Sequence, residues 1–189
     1  MKSSSHKRIG QFLAAQHFYD LSPMYIRAFM LGCVQPDKNP TTYLKGSIRF
    51  QWLRGHNYEN SCRYMIRLCH RMERKKTLTL ADYYQLGKLM HYVADSFTYA
   101  HNREFGGNLR RHRLYEQRLD VYLRKYISRI SLDAPTASRA EDVIRMNRRL
   151  YCTLPHSTVH DVYFSLITCY GVLSSLLGSK IKSFTILSK

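Results

Sequence analysis

The chain predicts an all-α domain of about seven helices, and three observations carry that prediction. Apolar residues recur at helical spacing in one segment after another, as in Tyr58, Cys62, Met65, Ile66 and Cys69. Helix start and stop signals punctuate those segments. No run alternates apolar and polar residues as a half-buried strand would, and there is no internal repeat. The 189 residues suffice for one domain with a substantial core, so residues 1–189 are read as a single unit.

Taken in order, Ser3–Ser5 precede a helix over His6–Tyr19 with an apolar stripe through Ile9, Phe12 and Leu13; a serine serves as N-cap and His6 lies in the first turn. Ser22 caps a second helix that opens on Pro23 and carries Tyr25, Ile26, Phe29 and Met30, with Gly32 placed to end it. Cys33–Ser47, with two prolines, an Asn and an Asp, reads as a loop that holds Asp37. Gly55-His56 precedes the third helix, which runs from Tyr58 into the basic segment Arg71–Lys76, where positive charge suits a helix C-terminus. Thr79, with Asp82 three residues on, forms a capping box for a fourth helix through Leu86, Leu89, Met90, Val93 and Ala94.

Gly106-Gly107-Asn108 breaks the pattern before a fifth helix over Leu109–Ile130, with Leu119, Tyr122, Leu123 and Tyr126 as its core face. Residues 131–137 form an internal linker around Asp133-Ala-Pro-Thr. A sixth helix covers Ser138–Leu150, and a last one follows Pro155 over His156–Leu177, ending near Gly178. Its apolar part, Val159–Leu177, is interrupted by His160, Asp161 and several hydroxyls, and reads as a buried or interfacial helix rather than a membrane span.

Composition bounds the partners. A net charge of +17 favours polyanions: nucleic acid, an anionic membrane surface or phosphate esters. Five cysteines in no CxxC arrangement, with no secretory signal, predict free thiols packed as small hydrophobes and a cytoplasmic chain, peripheral to a membrane where it meets one. No protein partner is implied.

The chemistry concentrates in residues 91–116. His91/Asp95 and His112/Glu116 are both spaced i,i+4, which on a helix puts imidazole and carboxylate on one face. Such pairs on two helices, with His101 between them, are suited to zinc. His17, His70, His156 and His160 lack a comparable pattern and read as structural or surface residues; His160 and Asp161 are neighbours and point to different faces.

SHKRIG near the start, LGCVQPD, RGH, LMHYVADSFTYAHN and RHRLYE together resemble the zinc-dependent phospholipase C family, with P1/S1-type nucleases as more distant members of the same fold. The resemblance implies an α-helical domain with a cleft holding two or three zinc ions. It implies Asp37, His56, His91 and Asp95 around one ion, and His101, His112 and Glu116 around a second. His6, with Asp95 bridging, would hold a third. Secreted members complete that third site with the amine of an N-terminal Trp, whereas the only Trp here is Trp52. It also implies hydrolysis of a phosphodiester by a zinc-activated water, with Asp37 as general base or water-orienting residue and a phospholipid as substrate. A nuclease acting on single-stranded nucleic acid, and a non-catalytic helical protein with structural zinc, are the alternatives.

One local departure makes a structural prediction. Secreted members place Pro between the HxxxD aspartate and the next His, where this chain has Tyr99. On a regular helix Asp95 and His101 would lie about 240° apart and could not share a site. An irregular segment at Ser96–Ala100 is therefore expected.

Overall fold

A central helix, α4 (Leu80–Ser96), organises the bundle: nearly every residue from Leu86 to Ser96 is buried. The computed structural model describes residues 1–38, 58–102, 105–106, 108–130, 132 and 139–186, and among these there are seven α-helices and no strand. Around α4 pack α1 (Ser3–His17), α2 (Pro23–Lys38), α3 (Tyr58–Glu73) and α7 (Thr158–Ile186). On α7 in turn pack α5 (Leu109–Tyr126) and α6 (Ala140–Thr153).

The helices form where apolar spacing directs them. Ser61, Met65, Leu68, Cys69 and Met72 make the buried stripe of α3, and Ala140, Val143, Ile144, Asn147 and Tyr151 that of α6. The capping box that opens α4 is complete: the Asp82 amide donates to Thr79 Oγ1, and the Thr79 amide donates to the Asp82 carboxylate. Helix α7 between Thr158 and Gly178 is long and apolar enough to cross a bilayer, yet 67% of that window is buried inside the bundle. All five cysteines are free, and Cys33, Cys69 and Cys169 are buried.

Several sequence expectations are corrected. Gly32 does not end α2, and the loop read from Cys33 does not begin there; the helix runs on through Pro36 to Lys38. Gly32 instead meets Gly87 at the crossing of α2 and α4, where a Cβ on Gly32 would fall 2.1 Å from the Tyr84 carbonyl oxygen and one on Gly87 would fall 2.0 Å from that of Phe29. Two backbones approach this closely only without side chains. The first helix begins at Ser3 rather than His6, with Lys2 as an N-cap that makes no side-chain bond. The serine hydroxyls are spent on tertiary contacts, Ser3 to Asp37 and both Ser4 and Ser5 to Asp120. Gly178 lies within α7, which continues to Ile186. The fifth helix stops at Tyr126, and Ile127–Arg129 is a 3-10 turn. The sixth helix is shifted by two or three residues at each end, and the linker read at 131–137 lies, but for Leu132, outside the described residues.

The predicted irregularity after Asp95 is present. Helix α4 ends at Ser96, Thr98 is extended (φ −104°, ψ 118°), and Tyr99–His101 forms a 3-10 turn.

The glycine contact yields a paired prediction. Gly32→Ala or Gly87→Ala places a methyl in backbone that cannot give way, and is expected to cost at least about 1–3 kcal/mol in urea unfolding. At Gly178, by contrast, a methyl group would meet nothing within 4 Å. Gly178→Ala is therefore expected to leave stability unchanged or raise it by up to about 1 kcal/mol, as Ala does for Gly inside a helix.

Candidate metal centre

The last turn of α2, the first turns of α1, the C-terminal half of α4, the 3-10 turn and the first turns of α5 converge on one point. Two groups of side chains meet there. His6, Asp37, His91 and Asp95 each offer a ligand atom, and these atoms lie within 4.8 Å of one another; His101, His112 and Glu116 do the same. Seven of the eight residues singled out in the sequence are thus brought together, and His56 lies outside the described residues. Asp37, expected in a loop, is carried by α2, because that helix continues past Gly32.

In the first group, the i,i+4 spacing places His91 Nε2 3.3 Å from Asp95 Oδ2, and Asp37 Oδ1 lies 3.5 Å from the same nitrogen. The Cys33 carbonyl is 2.9 Å from His91 Nδ1 and can only accept, so Nδ1 carries the proton and Nε2 is left as a lone-pair donor toward the group. His6 stacks on His91 with ring centroids 3.8 Å apart. Its buried Nε2 is 3.2 Å from Asp95 Oδ1 but is not aligned for a hydrogen bond. Burial, with His91 beside it, pushes His6 down to about 4, so its imidazole is neutral at ordinary pH. Ser3 donates to Asp37 Oδ2 at 2.8 Å and fixes the rotamer of that carboxylate.

In the second group, Glu116 Oε1 lies 3.4 Å from His101 Nε2 and 3.1 Å from His112 Nε2. The rings of His101 and His112 meet edge to face at 5.2 Å. His112, one turn before Glu116, is the most open of the three, whereas His101 is almost enclosed, and burial lowers its pKa.

Among the described residues, one ammonium group joins the two groups. The α-ammonium of Met1, fully buried, donates to Asp95 Oδ1 at 2.6 Å and lies 3.2 Å from Glu116 Oε1 and 2.9 Å from His101 Nε2. It reaches this position because α1 starts at Ser3, so that only Lys2 separates it from the helix. Burial opposes the charge, but the carboxylates of Asp95, Glu116 and Asp37 outweigh burial and raise the amine to about 10. Burial equally opposes ionisation of Asp95, and here the ammonium with His101, His6 and His91 prevails, holding the carboxyl well below its usual range. Three carboxylates face one ammonium, beside an imidazole nitrogen of His6 that is sealed from water and makes no hydrogen bond. Such a donor set, of neutral imidazole and ionised carboxylate around a point already holding positive charge, fits divalent zinc.

The other histidines are accounted for without metal. His70 pairs with Glu141 at 2.6 Å, His156 stacks on Tyr99 at 4.0 Å, His160 donates to the Pro155 carbonyl, and His17 packs against Tyr170.

Residues that carry no sequence signal hold the turn in place. The Arg148 guanidinium donates to the Ser96 carbonyl at 2.6 Å and to Asn102 Oδ1 at 3.2 Å, bracketing the segment. The Ala94 carbonyl, which takes the Phe97 amide where α4 ends, also accepts from Thr98 Oγ1 and Ser165 Oγ. The Tyr99 amide, a group that a proline there would lack, donates to Asp161 Oδ2 at 2.7 Å. None of these partners stands at a recognisable spacing, so nothing in the sequence marks them.

Residues 5–163 match the sequence profile of the family described as zinc dependent phospholipase C. The chain belongs to the zinc-dependent phospholipase C family. No curated protein and no solved structure matches it.

Zinc binding is expected to stabilise the folded chain by mass action, by about 2.7 kcal/mol at a free concentration one hundred times its Kd. The check is the rise in thermal midpoint on titrating zinc into chelator-stripped protein. Asp95→Asn is expected to lose most of that rise, because Asp95 faces both groups.

Proposed function

We propose that this chain is a zinc-dependent phosphodiester hydrolase of the phospholipase C type, cleaving a glycerophospholipid. The observation that carries the reading is the juxtaposition of the two His/carboxylate groups across Asp95, in a chain of this family. On this reading His6, Asp37, His56, His91 and Asp95 hold zinc on one side, and His101, His112 and Glu116 hold it on the other. On the same reading the chain would hold two or three ions, any third adjoining His6 and Asp95. Bound zinc supplies Lewis acidity toward phosphoryl oxygens and makes a water acidic enough to lose its proton near neutral pH.

The chain's own residues divide the remaining work. Asp37 is the carboxylate of the first group that solvent reaches, its side chain 12% exposed against 0% for Asp95. It is placed at the rim to orient a water and to take its proton on a carboxylate oxygen, with Ser3 holding it in position. Asp95, sealed and surrounded by cationic and imidazole nitrogens, stays ionised and keeps the two groups in register. His112 is the most open histidine of the second group. The net charge of +17 suits an anionic substrate or an anionic bilayer carrying it. It suits a nucleic-acid strand equally, which makes the nuclease the second reading. Five free thiols accord with a reducing, cytoplasmic setting.

Zinc per chain is measured first, then hydrolysis of phosphatidylcholine, bis-p-nitrophenyl phosphate and single-stranded DNA. Turnover of the phospholipid and the simple diester, above DNA, is expected. A folded, zinc-loaded chain inert on all three would leave zinc a structural role, and preference for DNA would replace the phospholipase C reading with the nuclease one. Asp37→Asn, assayed at saturating zinc because Asp37 is also one of the residues proposed to hold the metal, is expected to lower kcat by about 10²–10⁴, the usual range for losing a general base. Near-normal turnover in that variant contradicts the assigned role.

A further inference from the structure

The second group is assembled from two elements. His101 comes from the 3-10 turn after α4, and His112 and Glu116 come from the start of α5. Neither element by itself specifies where the other lies. One buried carboxylate touches both. Asp161, on the first turn of α7, is 0% exposed. Its Oδ2 accepts from the Tyr99 backbone amide, two residues before His101, and also from the hydroxyl of Tyr115, the residue next to Glu116. Its Oδ1 accepts at 2.8 Å from the hydroxyl of Tyr151 on α6, which in turn is reached by Asn102 Nδ2, immediately after His101.

The geometry points to Asp161 as the positioning residue of the second group, a clamp that docks the 3-10 turn and the start of α5 on α7 so that His101 meets His112 and Glu116. The assignment rests on the metal reading above only for its consequence, tighter zinc binding by those three residues. Three donors converge on one carboxylate out of contact with solvent, where charge-assisted hydrogen bonds are strong and directional. A group serving only the core would be met by donors from any element. Those of Asp161 come from the residues flanking each half of the second group and from the tyrosine bonded to Asn102. Ring packing acts in the same sense: Tyr99 lies between His156 at 4.0 Å and Tyr115 at 6.0 Å, so each element that Asp161 ties down also closes over the other.

The test uses the full-length chain with Asp161→Asn, Asp161→Ala and Tyr115→Phe. In metal-free protein, nuclear Overhauser contact between the His101 and His112 rings and hydrogen exchange at the Tyr99 amide report the geometry directly. The wild-type chain is expected to show the ring contact and a protected amide. Asp161→Ala is expected to lose both, and Asp161→Asn, which keeps one acceptor oxygen, to lose them in part. Tyr115→Phe, the mildest change, is expected to weaken the ring contact while leaving the Tyr99 amide protected. With zinc, binding monitored through the His101 and His112 resonances is expected to weaken by roughly 10–100-fold, the cost typical of losing a supporting partner, and binding monitored at His91 by less than about threefold. An unchanged ring contact in any folded Asp161 variant overturns the assignment. So does an equal loss at both groups, which marks general destabilisation. If the wild-type chain takes up no zinc, the metal reading fails on that result, while the ring contact and amide exchange still decide the clamp.

Discussion

Asp95 is an ionised carboxylate with no access to water, and the structure is arranged around keeping it so. An unpaired charge in the interior costs several kcal/mol, and breaking a buried pair from one side is strongly destabilising. Here the Met1 ammonium, His6, His91 and His101 surround it, each delivered by a different part of the chain. The groups around Asp95 are, apart from the ammonium, imidazoles of the kind that hold zinc. Folding stability and metal binding therefore draw on the same residues, and whatever disturbs Asp95 disturbs both.

The backbone makes that burial possible. Helix α4 carries His91 and Asp95 at its C-terminal end, and α2 carries Asp37 at its own. The two come into register because Gly32 and Gly87 let the helices cross at backbone contact. A wider crossing would draw Asp37 back from His91, and the Cys33 carbonyl away from the imidazole it orients. The α4 terminus then has to stop abruptly. Arg148, Thr98 and Ser165 satisfy carbonyls that the next helical turn would have used. Site and fold meet in those few residues after Asp95.

What could be read from the sequence was local. The i,i+4 pairs His91/Asp95 and His112/Glu116, the Thr79/Asp82 capping box and the apolar stripes all lie within a few helical turns, and each is present in the structure. The break after Ser96 was legible too, since a regular helix cannot put Asp95 and His101 on one face. What escaped depended on distant partners. Gly32 looks like a helix terminator until Gly87, 55 residues on, is beside it. Ser3–Ser5 look like caps until Asp37 and Asp120 are found to receive their hydroxyls. Asp161, read as half of an unremarkable His-Asp neighbour pair, takes its meaning from Tyr99, Tyr115 and Tyr151. The reach of the Met1 amine followed from three extra helical residues at the start of α1, which residue preferences alone do not specify.

The central claim is that both groups of side chains are metal sites meeting across Asp95. Anomalous scattering from crystals of the zinc-loaded chain, recorded on either side of the zinc absorption edge, tests it most directly. The account predicts one peak among His6, Asp37, His91 and Asp95 and another among His101, His112 and Glu116, with any third adjoining His6 and Asp95. Absence of a peak from either group in zinc-saturated crystals would contradict it.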